Sequence, residues 1–382
     1  MSRKSACHLA AIALLSGAAL TACGPPPPPP ASVIKPPPPL ATSAPLSPPV
    51  FSLVGERVAS LSCPALPAAE MGPLEPPFEP LDVPANLADI KAVNGRSERD
   101  VWMIARGQTG QARALRWDGA TLSDEDISPC ALSMRNPSLS FGPGGPIVLD
   151  REHDESGLFF SQAHRTPSGA WDCDQRSAPA RSFTLGSQEL RNVPGLDLTL
   201  SGRRLPTSSV RESINLGIIE EYLAVAADDI WVYFPHQSRV WHWNGSSWEE
   251  RSPGLKSVRA LVADASGAPW LIGGTQKEDW ITHGPQVILR WDAAAGAWAC
   301  FPTPPGLKTK LLRAASERDV WLLGDKETLH WDGVSFQRGP TPVPELEDAW
   351  IDRSGELWVV GRKSAPTGPE GVVLRARPGE RQ

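Results

Sequence analysis

The sequence predicts an all-β chain, a β-propeller of about seven four-stranded blades preceded by a proline-rich stalk. Three observations carry this reading. The hexapeptide Ser97-Glu98-Arg99-Asp100-Val101-Trp102 recurs unchanged from Ser316 to Trp321. A second signature, Trp-Asp-Gly or Trp-Asn-Gly, follows several such openings. Twelve of the fifteen tryptophans occupy three recurring positions.

The openings are Val101-Trp102, Ile230-Trp231, Pro269-Trp270, Val320-Trp321 and Leu357-Trp358. The second signature reads Leu115-Arg116-Trp117-Asp118-Gly119, Trp241-His242-Trp243-Asn244-Gly245, Leu289-Arg290-Trp291-Asp292 and Leu329-His330-Trp331-Asp332-Gly333. A further large apolar residue comes shortly after: Leu122, Trp248, Trp298 and Phe336. Short branched and aromatic runs such as Val101–Ile104 favour strands, and Asp-Gly and Asn-Gly favour tight hairpin turns because both residues tolerate positive φ. Each unit therefore reads as four strands. Trp102 to Trp321 is 219 residues, or five intervals, so two units without the signature must lie between residues 119 and 227. Pro146–Leu149 with Gly157–Phe160 and Trp171 supplies one, and Phe183–Leu205 a weaker one. Seven units of about 42 residues fill residues 85–382, a period typical of propeller blades; treating the weaker unit as an insertion would leave six.

Closure needs one more strand. The last unit offers Leu357–Val360 and Val372–Arg375 and then ends, whereas Phe51–Leu61 is an extended segment ahead of the first unit. That segment is expected to pair into the last blade.

Residues 1–22 read as an export signal, with Arg3 and Lys4 ahead of the apolar run Ala10–Leu20, which is too short to span a bilayer. Leu20-Thr21-Ala22-Cys23 resembles the lipobox of bacterial lipoproteins. The resemblance implies cleavage before Cys23, acylation of that cysteine and anchorage in a membrane, and Gly24 after it resembles the pattern that allows sorting to the outer membrane. Residues 23–49 then form the lipid anchor and linker. Their runs Pro25–Pro30 and Pro36–Pro39 favour polyproline II geometry, a stiff stalk. Residues 50–84 combine the closing strand with a proline-rich segment carrying Leu66, Leu74, Phe78 and Leu81.

Loss of Arg3 and Lys4 takes the formal charge from −6 to −8. An acidic chain without clustered Lys and Arg excludes nucleic acid as the partner. Four cysteines remain besides Cys7 and Cys23, namely Cys63, Cys130, Cys173 and Cys300. An even count in an exported chain argues for disulfides, with three possible pairings.

The blade units resemble the tryptophan-rich repeats of exported bacterial propellers with Asp-Val-Trp and His-Trp-Asp-Gly signatures. The Asp352-x-x-Gly355-x-Leu357-Trp358 form also resembles sensor-propeller and Asp-box repeats, without the strict Asp-box order. The resemblance implies a fold and no particular activity.

The chain lacks nucleophile-elbow, Walker and zinc-protease signatures, so no catalytic residue, metal or cofactor is expected. His242 and His330 hold the repeat position of Arg116 and Arg290 and read as structural. Asp100, Asp118, Asp292, Asp319 and Asp332 recur with the repeats and read as turn caps. His153-Asp154-Glu155 with His164 is an acidic and imidazole cluster that reads first as a hairpin loop. Trp280 lies in the long loop Thr275–Gln286 beside Asp279 and His283, where an exposed indole would suit a sugar ring or a protein hot spot. The sequence thus points to a lipid-anchored envelope protein that binds a protein, peptide or glycan without covalent chemistry. Two alternatives stand beside it: a glycan lyase or hydrolase with carboxylates at the propeller channel, and a structural envelope component.

Overall fold

The computed structural model describes Cys63, residues 72–74 and 77–142, and most of 144–377, with its larger breaks at 176–180, 206–220 and 276–285. Those residues form seven sheets, six of four antiparallel strands and one in which a short parallel strand adds a fifth. Blade one comprises Leu87–Ser97, Asp100–Gly107, Ala112–Trp117 and Leu122–Asp126, the first strand innermost. Blades four, five and six repeat the pattern from Glu221–Ala226, Ser257–Ala263 and Leu311–Ser316. The units without the signature are blades too: blade two starts at Pro137–Gly142, blade three at Arg181–Leu185. Each inner strand contacts the next, and that of blade seven, Glu345–Ile351, returns to Leu87–Ser97 of blade one. The ring is closed with seven blades.

The repeated tryptophans sit at fixed rungs. Trp117 faces Leu122, Trp243 faces Trp248, Trp291 faces Trp298 and Trp331 faces Phe336 across the third and outer strands. The opening tryptophans, Trp102, Trp231, Trp270, Trp321 and Trp358, lie in the second strands and are buried to within 1%. Full burial of one aromatic side chain contributes about 2–3 kcal/mol, which explains why these positions recur.

Around three of these indoles the same bracket forms, and around Trp321 it forms without the indole donation. Trp102 Nε1 donates to Asp100 Oδ1 at 3.0 Å, and Arg116 pairs with that carboxylate at 3.3 Å while lying over the ring. Arg290 and Asp264 flank Trp270 likewise. His242 and His330 take the arginine's place, stacking on Trp231 and Trp321 at 4.2 and 3.9 Å and meeting Asp229 and Asp319 at 2.9 Å. Both histidines are structural. Asp100 and Asp319 are not turn caps, as the repeats suggested; they brace side chains, because each begins its strand beside the ring it serves.

Asp118, Asp292 and Asp332 do cap turns. Asp118 Oδ1 accepts N–H groups from Ala120 and Thr121 at 2.9 and 2.8 Å, and Asn244 does the same for Ser246 and Ser247. Gly119 and Gly333 have φ of 100° and 90°, and an added Cβ would come within 2.8 Å of Arg99 or Arg318 from the facing turn. This interlock explains the pairing of Arg in the hexapeptide with Gly in the second signature.

The donors from Thr121 and Ala120 hold the Asp118 carboxyl below the usual carboxylate range. A depressed folded value means stability contributed above the unfolded chain's carboxylate pKa and lost as pH falls through the folded one. Asp118→Asn keeps the acceptor, as Asn244 does. Its acid unfolding curve is therefore expected to be shallower than that of the wild type, with the two coinciding at neutral pH in circular dichroism titrations.

Closure differs in place from the expectation. The fourth position of blade seven is filled by Glu79–Pro80, antiparallel to Gly368–Ala376, with Leu81 N donating to Val373 O at 3.0 Å. Phe51–Leu61 lies outside the described residues. Before this strand, Gly72–Pro73 adds in parallel to the outer edge of blade six, Phe336–Pro340. The anchors here are side chains. Leu74 and Phe78 pack into the core between blades six and seven, Leu81 and Val83 into that between seven and one.

Two disulfides form, Cys63–Cys300 and Cys130–Cys173. The second ties the turn entering blade two to its outer strand, Trp171–Gln175. For a separation of 43 residues the chain-entropy model assigns about 4 kcal/mol.

Candidate functional site

The inner strand of every blade leaves one hydrogen-bonding edge unpaired within its sheet, and these edges ring the axis. Charged side chains from the neighbouring blade cap several of them. Arg313 of blade six donates to the carbonyls of Ala349 and, at 2.8 Å, Leu312, and its Nη2 reaches Asp348 Oδ1 at 2.7 Å. Lys310 donates to Leu346 O. Asp348 of blade seven in turn accepts the N–H of Val93 in blade one at 3.0 Å and that of Ala349 at 2.8 Å. Asn94 carries the chain of contacts onward to Leu139 O of blade two at 2.9 Å. Burial among the inner strands raises the Asp348 carboxyl above its ordinary range, opposed by Arg313 and the two backbone donors.

Near the start of the same strands lies a second network. Lys91 bridges Glu347 at 2.7 Å and Asp89 at 3.6 Å, and Arg106 meets Asp89 at 2.5 Å. Asp89 is fully buried, with Lys91 and Arg106 as its two cationic partners. Acids from blades one and seven do converge on the axis side of the ring, as the enzyme alternative required. Each is matched by a base. The pairs Glu347–Lys91 and Asp348–Arg313 join neighbouring blades, whereas Asp89 is paired within blade one.

On the turns between first and second strands, Glu98, Asp352 and Glu356 bring carboxylate oxygens within 4.8 Å of one another. Asp352 Oδ1 is spent on its own turn, accepting from Ser354 N, Ser354 Oγ and Glu356 N at 2.8, 2.6 and 2.9 Å. Arg377 and Arg375 reach Glu356 at 3.4 and 3.7 Å. Burial pushes the Glu356 carboxyl up, Arg375 and Arg377 pull it down, and Asp352 adds to the rise. The two guanidiniums supply the positive charge that a bound cation would otherwise bring.

The residues singled out from sequence fare differently. Trp280, Asp279, His283 and Cys23 lie outside the described residues, as does Glu155. His153 stands opposite Leu158 and His164 opposite Ile147 on the same hairpin, six rungs or roughly 20 Å apart, so they do not form one cluster. His164 Nε2 instead faces Asp172 at 3.6 Å. Lys91, Arg313, Glu347 and Asp348 were missed, although three charges within Glu345–Ile351 and a lysine inside the apolar Leu87–Val93 were visible signals. Among the described residues the exposed large apolar side chain is Val334, at 61%, so these surfaces offer no aromatic patch.

No family model matches the chain, and no curated protein matches its sequence. Among solved structures, YCF48 from Cyanidioschyzon merolae is similar with a TM-score of 0.51 at 12% identity, covering 79% of this chain and 99% of that one. Virginiamycin B lyase from Staphylococcus aureus, solved as a catalytically inactive variant with quinupristin, has a TM-score of 0.52 at 11% identity and the same coverage. Both likenesses are of fold.

Proposed function

We propose that this chain is an exported lipoprotein, tethered to a membrane through Cys23, whose propeller binds a protein, peptide or glycan of the cell envelope without a covalent step. The observation that carries the binding reading is the state of the inner-strand carboxylates. Asp89, Glu347 and Asp348 are each paired with Lys91, Arg106 or Arg313 across strands and blades, which supports reading the inner strands as scaffold and the loops as the place of recognition. The loop Thr275–Gln286, with Trp280, Asp279 and His283, is the recognition element we favour. The anchor reading rests on Leu20-Thr21-Ala22-Cys23 and the proline runs behind it. That a lyase shares the fold does not extend its chemistry to this chain, because the likeness stops at 11% identity.

Two substitutions test the two halves separately. Cys23→Ser is expected to move the full chain from the membrane to the soluble fraction, and continued membrane retention would refute the anchor. Trp280→Ala is expected to weaken capture of an envelope component at least tenfold in a crosslinking pull-down, with the thermal midpoint unchanged. Turnover of an envelope glycan by the purified chain, with no captured partner, would overturn the binding reading in favour of an enzyme.

A further inference from the structure

The chain has 28 arginines but nine lysines, and the lysines are not spread evenly over the fold. Lys4 and Lys35 precede the propeller. Every propeller lysine among the described residues lies toward one face, the one on which the inner strands begin. Lys256 and Lys310 stand immediately before the inner strands Ser257–Ala263 and Leu311–Ser316, their N–H groups donating to Gly274 O and Leu323 O at 2.9 and 2.8 Å. Lys308 is in the same link as Lys310, and Lys326 is in the turn between the second and third strands of blade six. Lys363 is near the end of the second strand of blade seven, and Lys91 near the start of the inner strand of blade one. Turns on the opposite face carry arginine instead: Arg99, Arg318 and Arg353. The lysines are scattered along the chain, and only the ring of blades brings them together.

Most acids on this face are already matched. Lys91 meets Glu347, Arg338 meets Glu327 at 2.6 Å, Arg362 meets Glu345, and Lys363 meets Glu370 at 3.3 Å. Lys256, Lys308, Lys310 and Lys326 are exposed, and among the described residues none has a carboxylate partner; Lys310 donates to Leu346 O instead. Against these four stand two exposed aspartates with no base among the described residues, Asp82 and Asp325. A chain of formal charge −6 thus turns a positive face outward. Lysine suits a partner whose anions have no fixed geometry, since its ammonium is a hydrated point charge on a flexible stem, whereas arginine's planar fork selects oriented carboxylates and phosphates. No exposed aromatic ring accompanies the lysines among the described residues, so they offer no platform for a stacked sugar or a protein hot spot. The N-terminal segment also joins the propeller beside this face. Cys63 is bonded to Cys300, one residue before the end of a strand that leads into the link carrying Lys308 and Lys310.

We propose that the face bearing Lys256, Lys308, Lys310 and Lys326 rests on an anionic phospholipid surface and orients the propeller by charge alone. The choice of a membrane over another polyanion rests on the Cys23 anchor, which would hold this face within reach of headgroups and raise their effective concentration. Each lysine close to such a surface contributes about fivefold in binding. That is too little to hold the chain without a second signal, and salt screens it, so the face does not replace the anchor. The loop between Gly274 and Gln286 joins the second and third strands of blade five and so leaves from the same face; what it captures would lie at the membrane.

Vesicle co-sedimentation of the full chain carrying Cys23→Ser, which cannot be acylated there, tests the face separately from the anchor. At low ionic strength its partition into mixed phosphatidylglycerol and phosphatidylcholine vesicles is expected to exceed that into phosphatidylcholine alone at least tenfold, and the difference to vanish in high salt. Lys256→Gln/Lys308→Gln/Lys326→Gln should lower that partition at least tenfold with the thermal midpoint unchanged, because all three side chains are exposed. Arg99→Gln/Arg318→Gln/Arg353→Gln removes the same charge from the opposite face and should lower it less than twofold. Equal losses in the two triple variants, or no preference for the anionic vesicles, would overturn the proposal. So would binding to soluble alginate without binding to vesicles, which would give the face to an acidic glycan. Retention of the Cys23→Ser chain on cell membranes after a high-salt wash counts against the anchor, whereas loss of the vesicle preference counts against the face.

Discussion

Replacing Trp358 with alanine is expected to destabilise the chain by about 3–5 kcal/mol and lower its thermal midpoint by roughly 10 °C. The indole is fully buried at the seam between blades seven and one, among Leu87, Val93, Val101 and Val360, with Trp117 at 5.9 Å. No neighbouring side chain can fill the hole, because the cluster is built from two β-sheets whose spacing is fixed by their own ladders. Trp358→Phe separates volume from hydrogen bonding. Trp358 Nε1 has no partner, whereas Trp270 Nε1 donates to Asp264 at 3.0 Å. Phenylalanine is therefore expected to cost about 1 kcal/mol more at 270 than at 358 in urea melts. Equal costs would mean that the bracket around Trp270 contributes nothing net.

The same residues show why so much of the fold was legible. A tryptophan that must meet a large partner on the facing strand, as Trp331 meets Phe336, cannot drift by one residue without turning to the other face. Volume at a fixed rung thus writes a period into the sequence. Blades two and three lack the signature: spacing showed that two units were needed, and short apolar runs such as Pro146–Leu149 and Gly157–Phe160 then located them. The closing strand was misplaced for a related reason. Phe51–Leu61 reads as an extended segment, but Glu79–Pro80 is held by Phe78 and Leu81 on either side, and two ladder residues leave no period. The inner-strand charges escaped notice because Lys91 or Asp348, read alone, looks like the solvent face of a strand. Only the ring brings Arg313 of one blade to Asp348 of the next and Asp348 to the backbone of a third. Trp280 stands apart: its sequence context marks a loop, and loop geometry is the part of a fold that periodicity does not encode.

Asp348 is where the ring and the candidate site meet, so its removal separates the two. Asp348→Ala is expected to cost about 3–5 kcal/mol, a large effect for a partly exposed side chain, because it strips three partners at once. Arg313 loses its ion pair at 2.7 Å, and the N–H of Val93 loses its acceptor at 3.0 Å. Arg313→Ala should also destabilise, leaving Asp348 half-buried without its cation and the Ala349 carbonyl uncapped. If the two act as one unit, the double variant will cost less than the sum of the single ones by at least about 1 kcal/mol in urea melts. Asp348→Asn should fall between wild type and alanine, since its amide oxygen still accepts from Val93. Strict additivity would mean that the carboxylate works independently of Arg313. It would then be an acid available for chemistry at the ring's axis, and the enzyme reading would regain its strongest candidate residue.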